Sequence, residues 1–242
     1  MLRLTLSSIL IAMHKPMMLL KNKQIVLLDF DGLLVSTEDL HFQAYQRMCQ
    51  NRGCILGWDF ARFCSVAHTS STGLQETIYS ELPGLYHQEP LWDVLYKEKK
   101  KEYKKLLHEA QVALMPGVEP FLDLLQEKEL KIAVVTHSPK EQIALIKEQL
   151  PLLDCIPLWL TREDYINPKP APDGYLRALQ ELAEPGDCAI GFEDTWRGYR
   201  ALVAAGVPGV VISSVLSNDF QQQLRTARAP VFPSLRDLLS TG

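Results

Sequence analysis

Residues 24–32 read Gln-Ile-Val-Leu-Leu-Asp-Phe-Asp-Gly, a short apolar run that ends in two aspartates and a glycine. Such a run is typical of a strand buried on both faces of a parallel sheet. Side chains alternate along a strand, so Asp29 and Asp31 face one way and Phe30 faces the core. Gly32 allows a sharp turn after them. The segment predicts a strand whose carboxyl end carries two acids, where open α/β sheets form their ligand crevice.

Four later runs have the same apolar character, and helical patterns lie between them. The runs are residues 131–136, 156–160, 189–192 and 209–213. Alternating strands and helices predict right-handed crossovers and an α/β fold with a doubly wound, Rossmann-like parallel sheet.

The chain between Phe30 and Lys131 is much longer than a strand–helix–strand crossover requires, and its pattern is mostly helical. We predict helices over 38–51, 60–66, 74–82 and 91–107. The predicted domains are an N-terminal extension, an α/β core and an inserted all-helical cap. Their bounds are 1–20 for the extension, 21–36 with 113–242 for the core, and 37–112 for the cap. The lysine-rich stretch 97–105 is interpreted as a solvated helix face with local charge pairs.

Composition and the amino terminus exclude several classes of protein. Lys and Arg number 25 and Asp and Glu number 29, so the net charge of −4 does not favour a nucleic-acid partner. No apolar run reaches the length of a membrane helix. The five cysteines contain no C-x-x-C pair, which favours free thiols in a reducing cytoplasm. Polar residues interrupt the first twenty positions and no small-residue cleavage site follows, so we interpret them as an extension rather than an export signal.

A second acidic strand end occurs at Gly-Phe-Glu-Asp-Thr, residues 191–195. Four carboxylates at two ends of one sheet repel one another, and an oxygen-ligated hard cation such as Mg²⁺ relieves that repulsion. The alternative is that Glu193 and Asp194 only complement the dipole of the following helix.

Two further segments bring a hydroxyl and a cation to the same edge. Thr136, His137 and Ser138 follow a predicted strand and open a helix, which suits an anionic oxygen; a plain helix cap is the alternative. Lys169 lies among three prolines, at 168, 170 and 172, which stiffen the chain and fix the charge. A solvated lysine in a loop is the competing interpretation.

The segments D-F-D-G, V-V-T-H-S, K-P-A-P-D and G-F-E-D, in this order, resemble the four motifs of the haloacid dehalogenase-like hydrolase superfamily. The helical insertion resembles the cap of the subgroup that contains β-phosphoglucomutase and phosphoglycolate phosphatase. The resemblance extends from about residue 24 to residue 213. It implies a phosphoric monoester hydrolase with the α/β fold and cap described above.

The resemblance also implies catalytic roles. Asp29 resembles the nucleophile that forms an aspartyl-phosphate, and Asp31 resembles the general acid/base. Thr136 would hydrogen-bond the transferring phosphoryl group, and Lys169 would pair with both the nucleophile and the phosphate.

The remaining roles concern the metal and the substrate. Asp194 would ligate Mg²⁺ together with Asp29 and the Asp31 carbonyl, with Glu193 in support. Gly32 and His137 would offer backbone N–H groups to the phosphate.

The cap and its hinge depart from the family pattern in places. Ser36 stands where many relatives carry an aspartate near the hinge. His41 matches a histidine that helps to control the general acid in mutase-like relatives, with packing as the alternative. In the cap loop 66–73, His68 suits a polar, neutral leaving group. This loop contains no arginine or lysine, which weakens the mutase hypothesis. Arg197 and Trp196 are candidates to line the crevice, and we expect Trp196 to pack.

These observations favour a Mg²⁺-dependent phosphatase that hydrolyses a small phosphorylated metabolite, without a nucleic-acid or membrane partner. A phosphosugar mutase of the β-phosphoglucomutase type is the second hypothesis. A non-catalytic binding protein on the same fold is the third. The three hypotheses differ in the result of an assay. A phosphatase releases free phosphate, a mutase isomerises a hexose phosphate, and a binding protein shows no turnover.

Overall fold

In the computed structural model, which describes residues 18–67 and 71–240, the five predicted apolar runs form neighbouring strands of one sheet. A sixth strand extends it, and every pairing is parallel. The strands are β1 Ile25–Leu28, β2 Lys131–Val135, β3 Leu158–Leu160, β4 Ala189–Glu193, β5 Gly209–Ile212 and β6 Val231–Phe232. Their order is β3-β2-β1-β4-β5-β6. The predicted fold class is confirmed.

The central position of β1 determines where the chemistry lies. All four of its residues are buried, and it pairs with β2 on one side and with β4 on the other. In register, Leu28 lies opposite Val134 of β2 and Phe192 of β4. The residues that follow these three positions therefore emerge at one level of the same sheet edge.

Helices pack on both faces of the sheet, as the continuous apolar character of the strands requires. These helices are α6 Val118–Glu127, α7 Lys140–Gln149, α8 Asp173–Leu182, α9 Trp196–Ala204, α10 Asn218–Ala227 and α11 Leu235–Ser240. One face forms the larger core cluster, which includes Phe121 and Phe192 in edge-to-face contact. The other face is closed by α8 and α9, where Tyr175 and Leu202 are fully buried.

Five helices lie between β1 and α6 in the described part of the chain. They are α1 Glu38–Asn51, α2 Phe60–Ala67, α3 Ser71–Glu81, α4 Pro83–Gln88 and α5 Trp92–Glu109. They have an apolar core of their own, in which Phe42, Phe63 and Ile78 take part. The chain enters and leaves this layer side by side, since Ser36 N–H donates to Ala113 O at 2.9 Å. We retain residues 37–112 as the proposed cap.

Two sequence-based predictions, the N-terminal extension and the role of His68, concern residues that lie wholly or partly outside the described part of the chain. His68 and residues 1–17 of the predicted N-terminal extension lie outside them. Leu20, also assigned to the extension, is buried against the core. Within the described part of the chain, no helix has both the length and the apolar character needed to span a bilayer.

The close approach of β4 to α9 depends on Gly191. A Cβ atom at this position would lie 2.2 Å from Cδ2 of Leu202. Gly191→Ala is therefore expected to lower the free energy of unfolding by about 1–3 kcal/mol, the usual effect of overpacking a core. Gly57→Ala is the control, because a Cβ added there would have no atom within 4 Å of it. Urea denaturation of both variants tests this, and equal stability of the two would contradict it.

Candidate active site

Three carboxylates and one ammonium meet where β1 and β4 end. One carboxylate oxygen from each of Asp29, Glu193 and Asp194 lies within 4.8 Å of the other two. Lys169 Nζ lies 2.6 Å from Asp29 Oδ1 and 2.7 Å from Glu193 Oε1. It also donates to the Val135 carbonyl at 2.8 Å. Residues separated by more than 160 positions in the chain are thus in contact, as the motif order predicts.

Two glycines make room for this cluster. Gly32 adopts a positive φ of 79°, and a Cβ there would lie 2.2 Å from Asp194 Oδ2. A Cβ on Gly198, in the first turn of α9, would lie 1.9 Å from Glu193 Oε2. The N–H of Gly32 donates to Val35 O at 2.9 Å. Gly32 contributes space to the cluster, and the predicted contact of its N–H with a phosphate stays a prediction.

The cluster carries more negative charge than Lys169 balances. Burial raises the pKa of Glu193 to about 7, and the charge of Asp29 adds to that effect. Burial also raises the pKa of Asp194 well above its usual value, with further contributions from Asp29 and Glu38. For Lys169, burial acts to lower the pKa, but Asp29 and Glu193 together raise it above its usual value. The ammonium is therefore firmly protonated.

The same cluster fits a divalent cation. Glu193 Oε2 and Asp194 Oδ1 are buried and have no hydrogen-bond partner among the described residues, whereas Glu193 Oε1 accepts from Lys169 and from the Tyr175 hydroxyl. Buried oxygens without partners are costly, and oxygen ligands suit a hard ion such as Mg²⁺. Asp29, Glu193 and Asp194 are thus close enough to hold one ion together, and their role as metal ligands stays a prediction.

The Asp31 carboxylate lies apart from that cluster, in a set of hydroxyl groups. Thr37 Oγ1 donates to Oδ1 at 2.6 Å, and Ser138 Oγ donates to Oδ2 at 2.6 Å. Thr136 Oγ1 is 3.3 Å from Oδ2 and accepts the Ser138 N–H at 2.9 Å. Burial raises the pKa of Asp31 above its usual value, against the opposing effect of the hydroxyls. A carboxyl group with a raised pKa is suited to donate a proton.

The sequence analysis missed Thr37 and Ser138 as partners of Asp31. Both residues adjoin positions that the sequence analysis considers, Ser36 and His137. A hydroxyl in a loop, however, gives no periodic signal that distinguishes a site residue from a helix cap. Thr136, assigned to the phosphoryl group, is 1% exposed and bonds within the protein. Its contact with a phosphate stays a prediction.

One lysine of the basic stretch 97–105 contradicts the solvated-face interpretation. Lys99 is 4% exposed and its Nζ lies 2.6 Å from His41 Nδ1. It also lies over the rings of Tyr45 and Tyr103, at 5.0 and 4.9 Å from their centroids. Burial lowers the pKa of Lys99 to about 7, although the charge of Asp31 acts in the opposite direction. The prediction failed because Lys99 shares the buried stripe of α5 with Leu95, which the lysine-rich composition masked.

The partners of His41 follow from that contact. Its ring stacks on Tyr103 with centroids 4.0 Å apart, and its backbone N–H donates to the Thr37 carbonyl at 3.0 Å. Burial, aided by Lys99, lowers the pKa of His41 well below its usual value, so the neutral ring accepts from the lysine. His41 thus joins Lys99 to the segment that carries Thr37.

His137 uses its side chain as well as its backbone position. Its Nε2 accepts the backbone N–H of Lys169 at 2.7 Å. Burial, reinforced by the charges of Lys169 and Arg197, lowers the pKa of His137 to about 3, so the ring stays neutral. This contact ties the loop after β2 to the loop that carries Lys169. The predicted backbone contact of His137 with a phosphate stays a prediction.

Comparison with known proteins agrees with this geometry. A sequence profile described as haloacid dehalogenase-like hydrolase matches residues 26–212. The chain belongs to the haloacid dehalogenase-like hydrolase family. The family resemblance of the motifs and the hydrolase assignment are confirmed.

Similar proteins include curated relatives and solved structures. The phosphorylated carbohydrates phosphatase of Thermotoga maritima is 28% identical over 189 residues, which is 75% of this chain and 81% of that protein. The β-phosphoglucomutase of Mycobacterium bovis is 30% identical over 207 residues, 76% of each chain. The crystal structure of CbbY from Rhodobacter sphaeroides with phosphate superposes with a TM-score of 0.68 at 23% identity. That match covers 89% of this chain and 96% of that one, and it supports the fold.

Removal of the shared ammonium should destabilise the protein in a pH-dependent way. Lys169→Met leaves Asp29 and Glu193 without their cation, and we expect the free energy of unfolding of the metal-free protein to fall by about 3–5 kcal/mol at neutral to alkaline pH. The folded-state pKa of Lys169 is raised, so its stabilisation is fully present below its unfolded pKa of about 10.4. The pKa of Glu193 is also raised, so a proton replaces the ammonium as the pH falls below about 7.

The loss caused by Lys169→Met should therefore be smaller at about pH 5.5 than at about pH 8. Urea denaturation at the two pH values measures it. Lys104→Met, at a lysine about half exposed, is the matched control. A loss that is the same at both pH values would contradict this explanation.

Proposed function

We propose that this protein is a Mg²⁺-dependent phosphatase that hydrolyses a small phosphorylated metabolite through an aspartyl-phosphate on Asp29. The observation that carries the proposal is the contact of Lys169 with Asp29, at 2.6 Å, beside two more carboxylates of the same sheet edge. Membership of a hydrolase family and similarity to a protein named a phosphatase support it.

The first chemical step uses Asp29 and Asp31 in separate roles. A carboxylate oxygen of Asp29 attacks phosphorus, and the bond from phosphorus to the leaving oxygen breaks. Asp31 donates its proton to that oxygen, so a neutral alcohol departs. The raised pKa of Asp31 favours the protonated form that this step requires.

The second step reverses the role of Asp31. Its carboxylate, now deprotonated, accepts a proton from water as the water oxygen attacks phosphorus. The bond between phosphorus and Asp29 breaks, which releases phosphate and restores both acids. Thr37 and Ser138 hold the Asp31 carboxylate in one orientation through both steps.

In both steps, positive charge stabilises the negative charge on the phosphoryl oxygens. Lys169 contributes one charge, held in place by Asp29, Glu193 and the Val135 carbonyl. Asp29, Asp194 and the Asp31 carbonyl would hold Mg²⁺ with the support of Glu193. When bound, the ion supplies charge that offsets the oxyanions of the transition state.

We also propose a cytoplasmic location and a substrate small enough for the space beneath the cap. All five cysteines are free, and Cys49 and Cys64 are buried in the cap, which suits a reducing compartment.

A phosphosugar mutase remains the second candidate, because a curated β-phosphoglucomutase is 30% identical to this chain. Incubation with a hexose 1-phosphate separates the two activities. The phosphatase releases inorganic phosphate, whereas a mutase yields the 6-phosphate.

Substitution of the two catalytic acids should produce different kinetic defects. Asp29→Asn should abolish phosphate release from every substrate because the nucleophile is lost. Asp31→Asn should slow hydrolysis of an alkyl phosphate by about 10²–10⁴-fold. With p-nitrophenyl phosphate, whose leaving group needs no proton, Asp31→Asn should give a burst of one product per site and then stall. Rapid-mixing absorbance measures the burst.

Asp123→Asn, on the exposed face of α6, is the control for these two variants and should behave like wild type. Phosphate release that survives Asp29→Asn would exclude Asp29 as the nucleophile.

Metal removal provides an independent check. A chelator should abolish turnover, and added Mg²⁺ should restore it. Loss of a group that hydrogen-bonds to a metal ligand typically weakens metal binding by roughly 10–100-fold. Asp194→Asn removes a proposed ligand itself, so it should weaken Mg²⁺ binding by more than that. Titration calorimetry with Mg²⁺ alone measures that affinity. Full activity in the chelated enzyme would contradict the metal assignment.

A further inference from the structure

Tyr175 contacts two members of the charged cluster from the buried side of the site. It is the third residue of α8 and is completely buried. Its hydroxyl donates to Glu193 Oε1, a charge-assisted hydrogen bond. Its ring centroid lies 5.0 Å from Lys169 Nζ, within the range in which an aromatic face attracts an ammonium. One side chain therefore touches both partners of the 2.7 Å contact between Lys169 and Glu193.

The first turn of α8 is fixed against the sheet, so the position of Tyr175 is fixed as well. A Cβ atom on Gly174 would lie 2.6 Å from Val135 Cγ1, which shows how closely the helix backbone approaches β2. Asp173 Oδ1 accepts the backbone N–H of Asn167 at 3.1 Å and its Nδ2 at 2.9 Å. These contacts anchor the helix start to the strand and to the loop that carries the lysine.

The Glu193 carboxylate depends on Tyr175 and Lys169 for its orientation. It is fully buried, and α9 covers it through the backbone of Gly198, where a Cβ would lie 1.9 Å from Oε2. Among residues 18–67 and 71–240, both of its hydrogen-bond donors bond to Oε1, and Oε2 has no partner. The two oxygens of a carboxylate are chemically equivalent, so these donors decide which one stays available.

Lys169 cannot hold Glu193 more tightly without weakening its contact with Asp29. An ammonium group has three N–H donors. Three acceptors lie within 2.8 Å of Lys169 Nζ: Asp29 Oδ1 at 2.6 Å, Glu193 Oε1 at 2.7 Å and the Val135 carbonyl at 2.8 Å. A Glu193 carboxylate that was free to rotate would compete with Asp29 for the ammonium. The Tyr175 hydroxyl opposes that rotation.

We propose that Tyr175 is a positioning residue whose hydroxyl fixes Glu193 Oε1, which leaves Oε2 for the divalent cation and keeps Lys169 on Asp29. This inference rests on the proposed function. Tyr175 lies two residues beyond the K-P-A-P-D segment and acts through Glu193 rather than on the substrate. Groups that hydrogen-bond to a metal ligand typically change metal affinity or activity by roughly 10–100-fold.

Tyr175→Phe tests the proposal because it keeps the ring beside Lys169 and removes only the hydroxyl. We expect Mg²⁺ binding to weaken by roughly 10–100-fold, since Glu193 is then free to turn. Titration calorimetry of the substrate-free protein with Mg²⁺ alone measures this affinity. Unchanged Mg²⁺ affinity in a folded Tyr175→Phe variant would overturn the inference.

Tyr165→Phe is the matched control for the loss of a buried tyrosine hydroxyl. The Tyr165 hydroxyl donates to the Thr136 carbonyl at 2.6 Å. Thermal denaturation of both variants measures the cost in stability, which a purely structural role of either hydroxyl would also produce. Only Tyr175→Phe should weaken Mg²⁺ binding. The same loss of Mg²⁺ affinity in both variants would overturn the inference.

A double-mutant cycle tests whether Tyr175 acts through Glu193. Glu193→Ala removes the carboxylate that the hydroxyl holds, so Tyr175→Phe should cause no further loss of Mg²⁺ affinity in that background. Such non-additivity is expected of two residues that act through one contact. A further loss in the Glu193→Ala background, equal to the loss in wild type, would overturn the inference.

The outcomes for wild type separate this inference from the proposed function. If wild type binds Mg²⁺ but releases no phosphate from p-nitrophenyl phosphate or from alkyl phosphates, the proposed function fails. A weaker Mg²⁺ affinity in Tyr175→Phe still supports the inference in that case. If wild type is an active phosphatase and Tyr175→Phe binds Mg²⁺ equally well, only the inference fails. A wild type that binds no Mg²⁺ would also overturn the inference, and phosphate release in chelator then decides the proposed function.

Discussion

Two carboxylates from neighbouring strand ends, those of Asp29 and Glu193, share one buried ammonium, that of Lys169, and a third carboxylate, that of Asp194, lies beside them. Without that charge, the two carboxylates would repel each other at this depth, and burial already raises the pKa of Glu193. The strand register brings the acids to one level, and Gly32 and Gly198 leave the space that lets the helices close over them. The remaining excess of negative charge makes the same edge suited to a divalent cation.

The sheet and the location of its chemistry were predictable because they depend on patterns that act locally. The five longer strands are apolar runs, and acids follow β1 and β4 where a parallel sheet opens. Strand β6 was not predictable in this way, since Val231–Phe232 is too short to carry a periodicity. The four motifs identify Lys169 as a neighbour of Asp29, although neither periodicity nor spacing gives the distance between them.

The contacts that the sequence could not supply are those between side chains of separate elements, both within the proposed cap and within the core. Lys99 belongs to a lysine-rich stretch whose composition is typical of a solvated helix face. Its position on the buried stripe of α5 nevertheless brings it into contact with His41. Thr136 and Ser138 follow the same strand, β2, but the sequence does not reveal that both hydroxyls contact the Asp31 carboxylate. Such details depend on side-chain direction across separate elements, which no single segment encodes.

The central claim is that Asp29 attacks phosphorus while Lys169 and the neighbouring acids organise the charge around it. Acid quenching of the enzyme during turnover, followed by peptide mass spectrometry, tests this most directly. The account predicts the mass of one phosphoryl group on the peptide that contains Asp29, and its accumulation in Asp31→Asn. Phosphate release without any phosphorylated peptide, or a phosphoryl group on another residue, would contradict it.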